Sequence, residues 1–463
     1  MDSVFFSRVV LAVDVGVWVS NRCFRKMGSR QRRLNSFESF FAESNVRFAV
    51  LLEFTNDRPL CKDIEQSCRN ALQSCRLGHL TLEQEPKENS TGDGGGGAGW
   101  VMKLDRDASM RDPKITRLES IPDDMGKYLE ERVVTDTLMA VGPLVVEVLT
   151  TTSSHQEDCR CVGISINGNH ALVDGQSMKH FLGAIANDHH PCQEKRTGPW
   201  TMLPDWQELV AASQTQAWDE EPKYLPASFP MLQLKDIMTN NIENKEGQED
   251  HDDVRCTISA KTLSTIKEMT KTKGSTISGF LVTLLMASLA AEYIDQGHRQ
   301  ERDVGISVLV DLRSYLNTAH KEINQAIGTV TVSLPAIETF SGWSQNNQQW
   351  FVVANQVTSQ LRARVERGEA HRCAVALCSG HFEAASPEAT MELSNLGVCR
   401  FSSSLASRLH VSQRFDGYDG ASCMIHTESA SGVLRWTTSY GNNQCKKTIQ
   451  RIMGRVQAWI ERC

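Results

Sequence analysis

The sequence predicts an α/β (α+β) protein of two halves, each a mixed sheet flanked by helices. Three observations carry this reading. The chain has 463 residues, more than one hydrophobic core usually supports. Strand-like apolar runs alternate with helical patterns before residue 190 and again after residue 254. Between these regions the pattern is poorer and ends in a polar, acidic stretch containing Glu243, Glu246, Glu249, Asp250, Asp252 and Asp253, which reads as a solvated linker. The expected division is an N-terminal extension at 1–30, a first half at 31–198, a crossover with the acidic linker at 199–253, and a second half at 254–463.

The elements follow in order. The extension carries an apolar run from Val9 to Val19, interrupted by Asp14 and followed by Arg22, Arg25 and Lys26. Spanning a bilayer takes roughly 20 apolar residues, and a secretory signal has an uninterrupted apolar centre before a small-residue cleavage site. The run is therefore expected to be a loosely packed extension, with a targeting segment as the alternative, and no other segment is read as a membrane span. Ser36 to Phe41 reads as a short helix with Ser36 as N-cap and its aromatics turned inward. Arg47 to Phe54 reads as a strand, and Leu60 to Arg76 repeats Ile64, Cys68, Ala71, Leu72 and Cys75 at helical spacing. Asn89 to Gly99, with glycine at every position from 94 to 97, is a surface loop. Strands are expected at 100–104, 143–150 and 161–167, with a short helix at 123–132, and a helical pattern runs from Gln176 to Ala186.

The second half is expected to open with a strand at 254–259 and a helix at 260–271. Gly274-Ser275-Thr276 then caps a strongly apolar helix at 277–293. Strands at 304–310 and 326–334, a long amphipathic helix at 343–365, strands near 423–428 and 433–440, and a terminal helix at 446–460 complete the reading. Trp343 and Trp350, about two helical turns apart, are assigned to the core.

Composition narrows the function classes. A net charge of −7 without a compensating basic block argues against nucleic-acid binding. Of the 14 cysteines, Cys61, Cys68 and Cys75 recur along one helical segment, and Cys159 and Cys161 form a C-x-C on a strand. No spacing typical of structural zinc is present, so reduced thiols in a cytoplasmic protein are expected.

The most specific chemical signal is Asn169-His170-Ala171-Leu172-Val173-Asp174-Gly175, placed where the apolar run Cys161 to Ile166 gives way to a helix. A histidine at such a junction is held by rigid elements on both sides, and imidazole titrates close to working pH, as a general base must. The competing reading is a core histidine satisfied by backbone, and position alone does not separate the two. Asp174, at the helix start, favours the positive end of the helix dipole and can orient His170 as in a triad. Gly175 is expected to let the chain turn tightly into the helix. The small residues around Gly168 and Asn169 leave room for a substrate to approach. Asn395, ahead of Leu396-Gly397, can point an amide donor at an oxyanion, or can be an asparagine in a turn before glycine. His180 and the His189-His190 pair offer little.

The H-x-x-x-D-G of His170 to Gly175 resembles the signature of the CoA-dependent acyltransferase superfamily. That superfamily includes plant BAHD transferases, alcohol acetyltransferases, wax ester synthases, mycobacterial polyketide-associated transferases and nonribosomal-peptide condensation domains. Three further segments are similar to it: the opening helix Ser36 to Phe41, the apolar strand and D-L-R of Val308 to Arg313, and the S-N-L-G of Ser394 to Gly397. Order and spacing agree over roughly residues 30 to 463. Two departures narrow the match. Asn169 stands where condensation domains and wax ester synthases usually have a first histidine, and Phe415-Asp416-Gly417-Tyr418-Asp419-Gly420 is only a loose echo of the BAHD D-F-G-W-G. Both favour the alcohol acetyltransferase and polyketide-associated branch.

The resemblance implies two chloramphenicol-acetyltransferase-like halves with the active site between them. It implies that His170 takes the proton from an alcohol, or secondarily an amine, attacking the thioester of acyl-CoA, most simply acetyl-CoA. It implies that Asp174 turns away from His170 and pairs with Arg313 in a structural role, with Gly175 structural beside them and Asn169 and Asn395 as possible substrate or oxyanion contacts. No metal, no permanently bound cofactor, no nucleic-acid partner and no obligate membrane span are expected, and the protein is expected to be a cytoplasmic monomer with acyl-CoA as co-substrate. Two alternatives remain: transfer from a carrier-protein phosphopantetheine, and a catalytically inactive relative that binds a ligand.

Overall fold

A computed structural model describes residues 31–44, 46–54, 58–84, 100–104, 112–138, 144–151, 159–186, 228–238, 253–315, 326–343, 347–378, 389–400, 408–414, 421–428, 431–440 and 445–462. The expected extension at 1–30, the glycine-rich loop, the BAHD-like echo, His189-His190 and most of the crossover and acidic linker lie outside these residues.

The first half contains β1 (Gln31–Arg33), α1 (Ser36–Glu43), β2 (Arg47–Glu53), α2 (Cys61–Ser74), β3 (Leu80–Gln84), β4 (Trp100–Leu104), β5 (Lys114–Leu118), α3 (Met125–Leu138), β6 (Leu144–Thr151), β7 (Cys161–Asn169) and α4 (Gly175–Ala186). The second half contains β8 (Val254–Ile258), α5 (Ala260–Thr272), α6 (Ile277–Asp295), β9 (Asp303–Asp311), β10 (Ile327–Pro335), α7 (Ala336–Phe340), α8 (Asn347–Glu366) and α9 (Glu369–Cys378). It ends with β11 (Met391–Cys399), β12 (Arg408–Arg414), β13 (Ala421–Glu428), β14 (Leu434–Tyr440) and α10 (Lys446–Ile460).

Two mixed sheets organise the molecule, in the orders β12-β2-β7-β6-β5 and β10-β9-β11-β13-β14-β8. A small antiparallel sheet, β1-β4-β3, adds to the first half. β7 is central in its sheet and buried along its whole length, which is why its sequence is a continuous apolar and small-residue run. The division at residue 254 does not separate the sheets, because β12 pairs antiparallel with β2 from Arg408↔Glu53 to Arg414↔Arg47. Leu409 and Val411 enter the core of the first half together with Leu396, Cys399 and Met424. β11, β12 and β13 thus stitch the two halves together.

Several local details depart from the sequence reading. Asn35, not Ser36, caps α1: its side chain accepts from the Glu38 N–H at 2.9 Å while the Glu38 carboxylate accepts from the Asn35 N–H at 3.1 Å. The long helix expected at 343–365 starts later, at Asn347, and runs to Glu366. Gly342 has φ +81°, a left-handed conformation that ends α7. Trp343 and Trp350 are buried and meet at 6.0 Å between ring centroids. Thr276 caps α6 as expected, accepting from the Gly279 N–H at 3.0 Å.

α6 is 19 residues long and apolar on every side, so by length and composition it is one helix that passes the test for a membrane span. Of its most apolar window, 78% is buried inside the protein, where it forms the spine of the second core with α8 and α10 around it. The sequence reading had not singled it out as a span candidate. Packing explains the all-round hydrophobicity.

Candidate active site

The loop from His170 to Asp174 sits where the halves meet. Its first residue leaves β7 as the His170 N–H donates to the Val46 carbonyl at 2.8 Å. Asn169 shapes the turn that follows, its side-chain oxygen accepting from the Ala171 N–H at 2.9 Å, in an Asx-type turn. At the far end the Asp174 carboxylate caps α4 by accepting from the Ser177 N–H at 2.8 Å. The chain therefore has little freedom at either end of the motif.

The His170 ring is clamped by aromatics. It stacks on Phe41 of α1 at 4.4 Å and 13° between planes and meets the edge of Phe48 at 5.8 Å and 69°. Burial lowers its pKa below the ordinary 6.5; a hydrogen bond to the residue's own backbone and the charge of Asp174 act the other way. The result is a buried imidazole whose neutral form is favoured at pH 7.

Asp174 does not orient that ring. Both its oxygens accept from Nη2 of Arg313, at 2.9 and 2.8 Å, and both side chains are buried. Nη1 of the same guanidinium reaches Asp311 at 3.0 Å. Burial alone would lower the Arg313 pKa, but the two carboxylates outweigh it and hold the guanidinium above its usual value. Arg313 belongs to the second half and Asp174 to the first, so the pair ties the motif loop across the junction.

Three glycine and asparagine expectations change. Gly175 does not adopt a left-handed conformation among the described glycines. Its missing side chain makes room instead, because a Cβ there would lie 2.2 Å from Cδ2 of Leu396. At Gly168 the room left by the missing side chain is filled by Val173, 2.9 Å from where a Cβ would be, and not kept for a substrate. Asn395 spends its donor on Ser278 Oγ at 3.0 Å and its oxygen on the Gly397 N–H at 2.8 Å. It thereby fixes the irregularity in β11, where Gly397 has φ +68°. The amide expected at an oxyanion braces a strand bulge.

That bulge is the second support of the motif. The Leu396 carbonyl accepts from Lys179 Nζ at 2.8 Å and Gln176 Nε2 at 3.4 Å, both on α4. The S-N-L-G segment and the H-x-x-x-D-G segment, 220 residues apart, are thus one structural unit. Sequence reasoning found the helix but missed the role of Phe41, which turns inward while its neighbour Phe40 is exposed. Among the described residues no group of three or more His, Cys, Asp or Glu could hold a metal ion.

The family model for the C-terminus of phthiocerol/phthiodiolone dimycocerosyl transferase matches residues 247–412. The TRI3 trichothecene 15-O-acetyltransferase from Fusarium sporotrichioides superimposes with a TM-score of 0.63 at 12% identity, covering 93% of this chain and 95% of that one. The chain has the fold of the CoA-dependent acyltransferase and condensation-domain superfamily. Polyketide synthase associated protein 5 from Mycobacterium tuberculosis gives 0.56 at 13% identity, with 93% and 98% covered. The first condensation domain of the calcium-dependent antibiotic synthetase gives 0.57 at 12%, with 93% and 97% covered. A search of the curated proteins gave no match. At such identities the structural likeness within the superfamily concerns the fold, and the chemistry has to be argued from this chain's own residues.

Proposed function

We propose that this protein is an acyltransferase that moves an acyl group, most simply acetyl, from acyl-CoA to the hydroxyl of a small-molecule or lipid-like alcohol, with His170 as general base. The observation that carries the proposal is the state of His170: buried in the motif loop, clamped by Phe41 and Phe48, and biased by burial towards its neutral form. In the step proposed, a ring nitrogen of His170 takes the acceptor's proton as the acceptor's oxygen bonds to the thioester carbonyl carbon. The tetrahedral adduct then collapses, the C–S bond breaks, and the imidazolium returns the proton to the departing CoA sulfur. Positioned acid–base catalysis of this kind contributes about 10²–10⁴-fold. Asp174 and Arg313 hold the loop and take no part in the proton transfer. A monomer with no metal and no resident cofactor, working in the cytoplasm, completes the proposal.

Purified protein offered acetyl-CoA or longer acyl-CoAs with a panel of alcohols and amines is expected to release CoA thiol only when an acceptor is present. Release with phosphopantetheine-loaded carrier protein and none with free acyl-CoA would move the donor to the condensation-domain class. Absence of release with either donor would leave a ligand-binding relative.

A further inference from the structure

Beneath the motif, five strands of the second sheet carry one row of polar residues. The register aligns Thr331 of β10 with Ser307 of β9, Ser307 with Glu392 of β11, Glu392 with Ser422 of β13, and Ser422 with Ser439 of β14. Side chains alternate across a sheet, so these five share a face. The neighbouring row on the opposite face, Val330, Val308, Leu393 and Cys423, is apolar and three of its members lie in the core of the second half. Met424, two residues beyond Ser422 on the polar face, packs in the core of the first half. The polar row therefore looks across the junction, on the side of the sheet where the motif loop is docked. At ~4.8 Å between strands the row is about 19 Å long.

Glu392 stands at its middle. No hydrogen bond or ion pair to its carboxyl occurs among the described residues, and it is crowded by protein yet keeps part of its surface accessible. That combination distinguishes it from a side chain filling a core. Two strands along the row, Ser439 is buried with a hydroxyl that finds no protein partner. A protein that needed only a stable sheet would gain by replacing both. Along β11, Glu392 is four residues from Leu396, which touches Gly175, so about 13 Å separates carboxyl-bearing and motif-contacting positions.

We propose that this hydroxyl row with Glu392 at its centre is the acceptor subsite, and that it selects alcohols carrying a second hydrogen-bond donor, hydroxyl or amine, remote from the reacting oxygen. The inference rests on the acyltransferase reading for the identity of the reacting oxygen. Burial lifts the Glu392 carboxyl to about 7, which supports the assignment, because a carboxyl poised there both accepts from and donates to a ligand hydroxyl.

The test measures binding in the His170→Ala protein, where no turnover disturbs equilibrium. Calorimetry compares a long-chain terminal diol with the mono-alcohol of the same length, with Glu392 intact, Glu392→Gln and Glu392→Leu. The diol is expected to bind at least about tenfold more tightly than the mono-alcohol, and Glu392→Leu should abolish the difference while Glu392→Gln keeps part of it. Both variants are expected to fold, and Glu392→Gln to melt higher than its parent at pH 8, since it removes an enclosed charge. Equal binding of the two alcohols with Glu392 intact, or an undiminished preference in Glu392→Leu, would overturn the proposal. A diol preference in His170→Ala together with no CoA release by the wild-type protein would sink the acyltransferase reading alone; CoA release by the wild type with no diol preference would sink the subsite alone.

Discussion

Arg313 holds both carboxylate oxygens of Asp174 through a single nitrogen, Nη2, at 2.9 and 2.8 Å. The aspartate of the H-x-x-x-D-G motif is therefore a tie between halves and does not serve the histidine four residues before it. Removing one partner of a buried pair leaves the other charge uncompensated and costs roughly 3–5 kcal/mol. Asp174→Asn is expected to lower the melting temperature and the soluble yield as strongly as the activity. Denaturant unfolding checks this, and an Asp174→Asn protein of unchanged stability with lost turnover would assign the aspartate to catalysis.

The clamp on His170 predicts a different pattern. Phe41→Leu preserves bulk and removes the ring stacked at 4.4 Å. An aromatic pair contributes about 0.5–1.5 kcal/mol beyond burial, so kcat is expected to fall roughly twofold to tenfold with the KM for acyl-CoA little changed. Steady-state kinetics on the folded variant provide the comparison.

How much of this was legible in the sequence depended on how local the cause was. β7, α4, α6 and α10 follow from continuous apolar runs or helical spacing, and the motif's placement at a strand–helix junction was correct. Two strands of the second half were harder. Arg408–Arg414 alternates Leu409 and Val411 with polar residues, but its partner is β2, over 350 residues earlier in the chain, and no local pattern reveals that. Met391–Cys399 hid behind Glu392, an acid inside a strand, which reads locally as a break. Gly175 was legible as a required glycine and misassigned in cause: backbone freedom was the local explanation, while contact with Leu396 is a tertiary one.

That contact gives the third prediction. Gly175→Ala would drive a methyl into Leu396 Cδ2 at 2.2 Å, and overpacking of this kind costs about 1–3 kcal/mol. The second-site change Leu396→Ala should restore part of the loss of Gly175→Ala, so the two effects on stability are non-additive. Strict additivity in unfolding experiments would show that Gly175 is needed for another reason.

Histidine burial sets the pH behaviour. Because burial keeps the His170 pKa under its ordinary 6.5, kcat/KM should hold level from neutral pH down past that value and fall only at lower pH, as the base becomes protonated. His426 speaks to stability: burial lowers it to about 4 from 6.5. In the unfolded chain it takes a proton near 6.5, and in the native state it refuses one until about 4, so stability drops as pH falls through that window and then levels. The integrated effect is about 3 kcal/mol at most. His426→Gln should flatten the difference between melting curves taken at pH 7 and pH 4.5.

The most direct test of the central claim compares wild-type protein with His170→Ala in a single-turnover assay of CoA release, using an acceptor that the wild type accepts. Circular dichroism and melting confirm that the variant is folded. A loss of about 10²–10⁴-fold in the rate, with acyl-CoA binding retained, is the predicted result. A folded His170→Ala protein releasing CoA at the wild-type rate would contradict the assignment of His170 as the base.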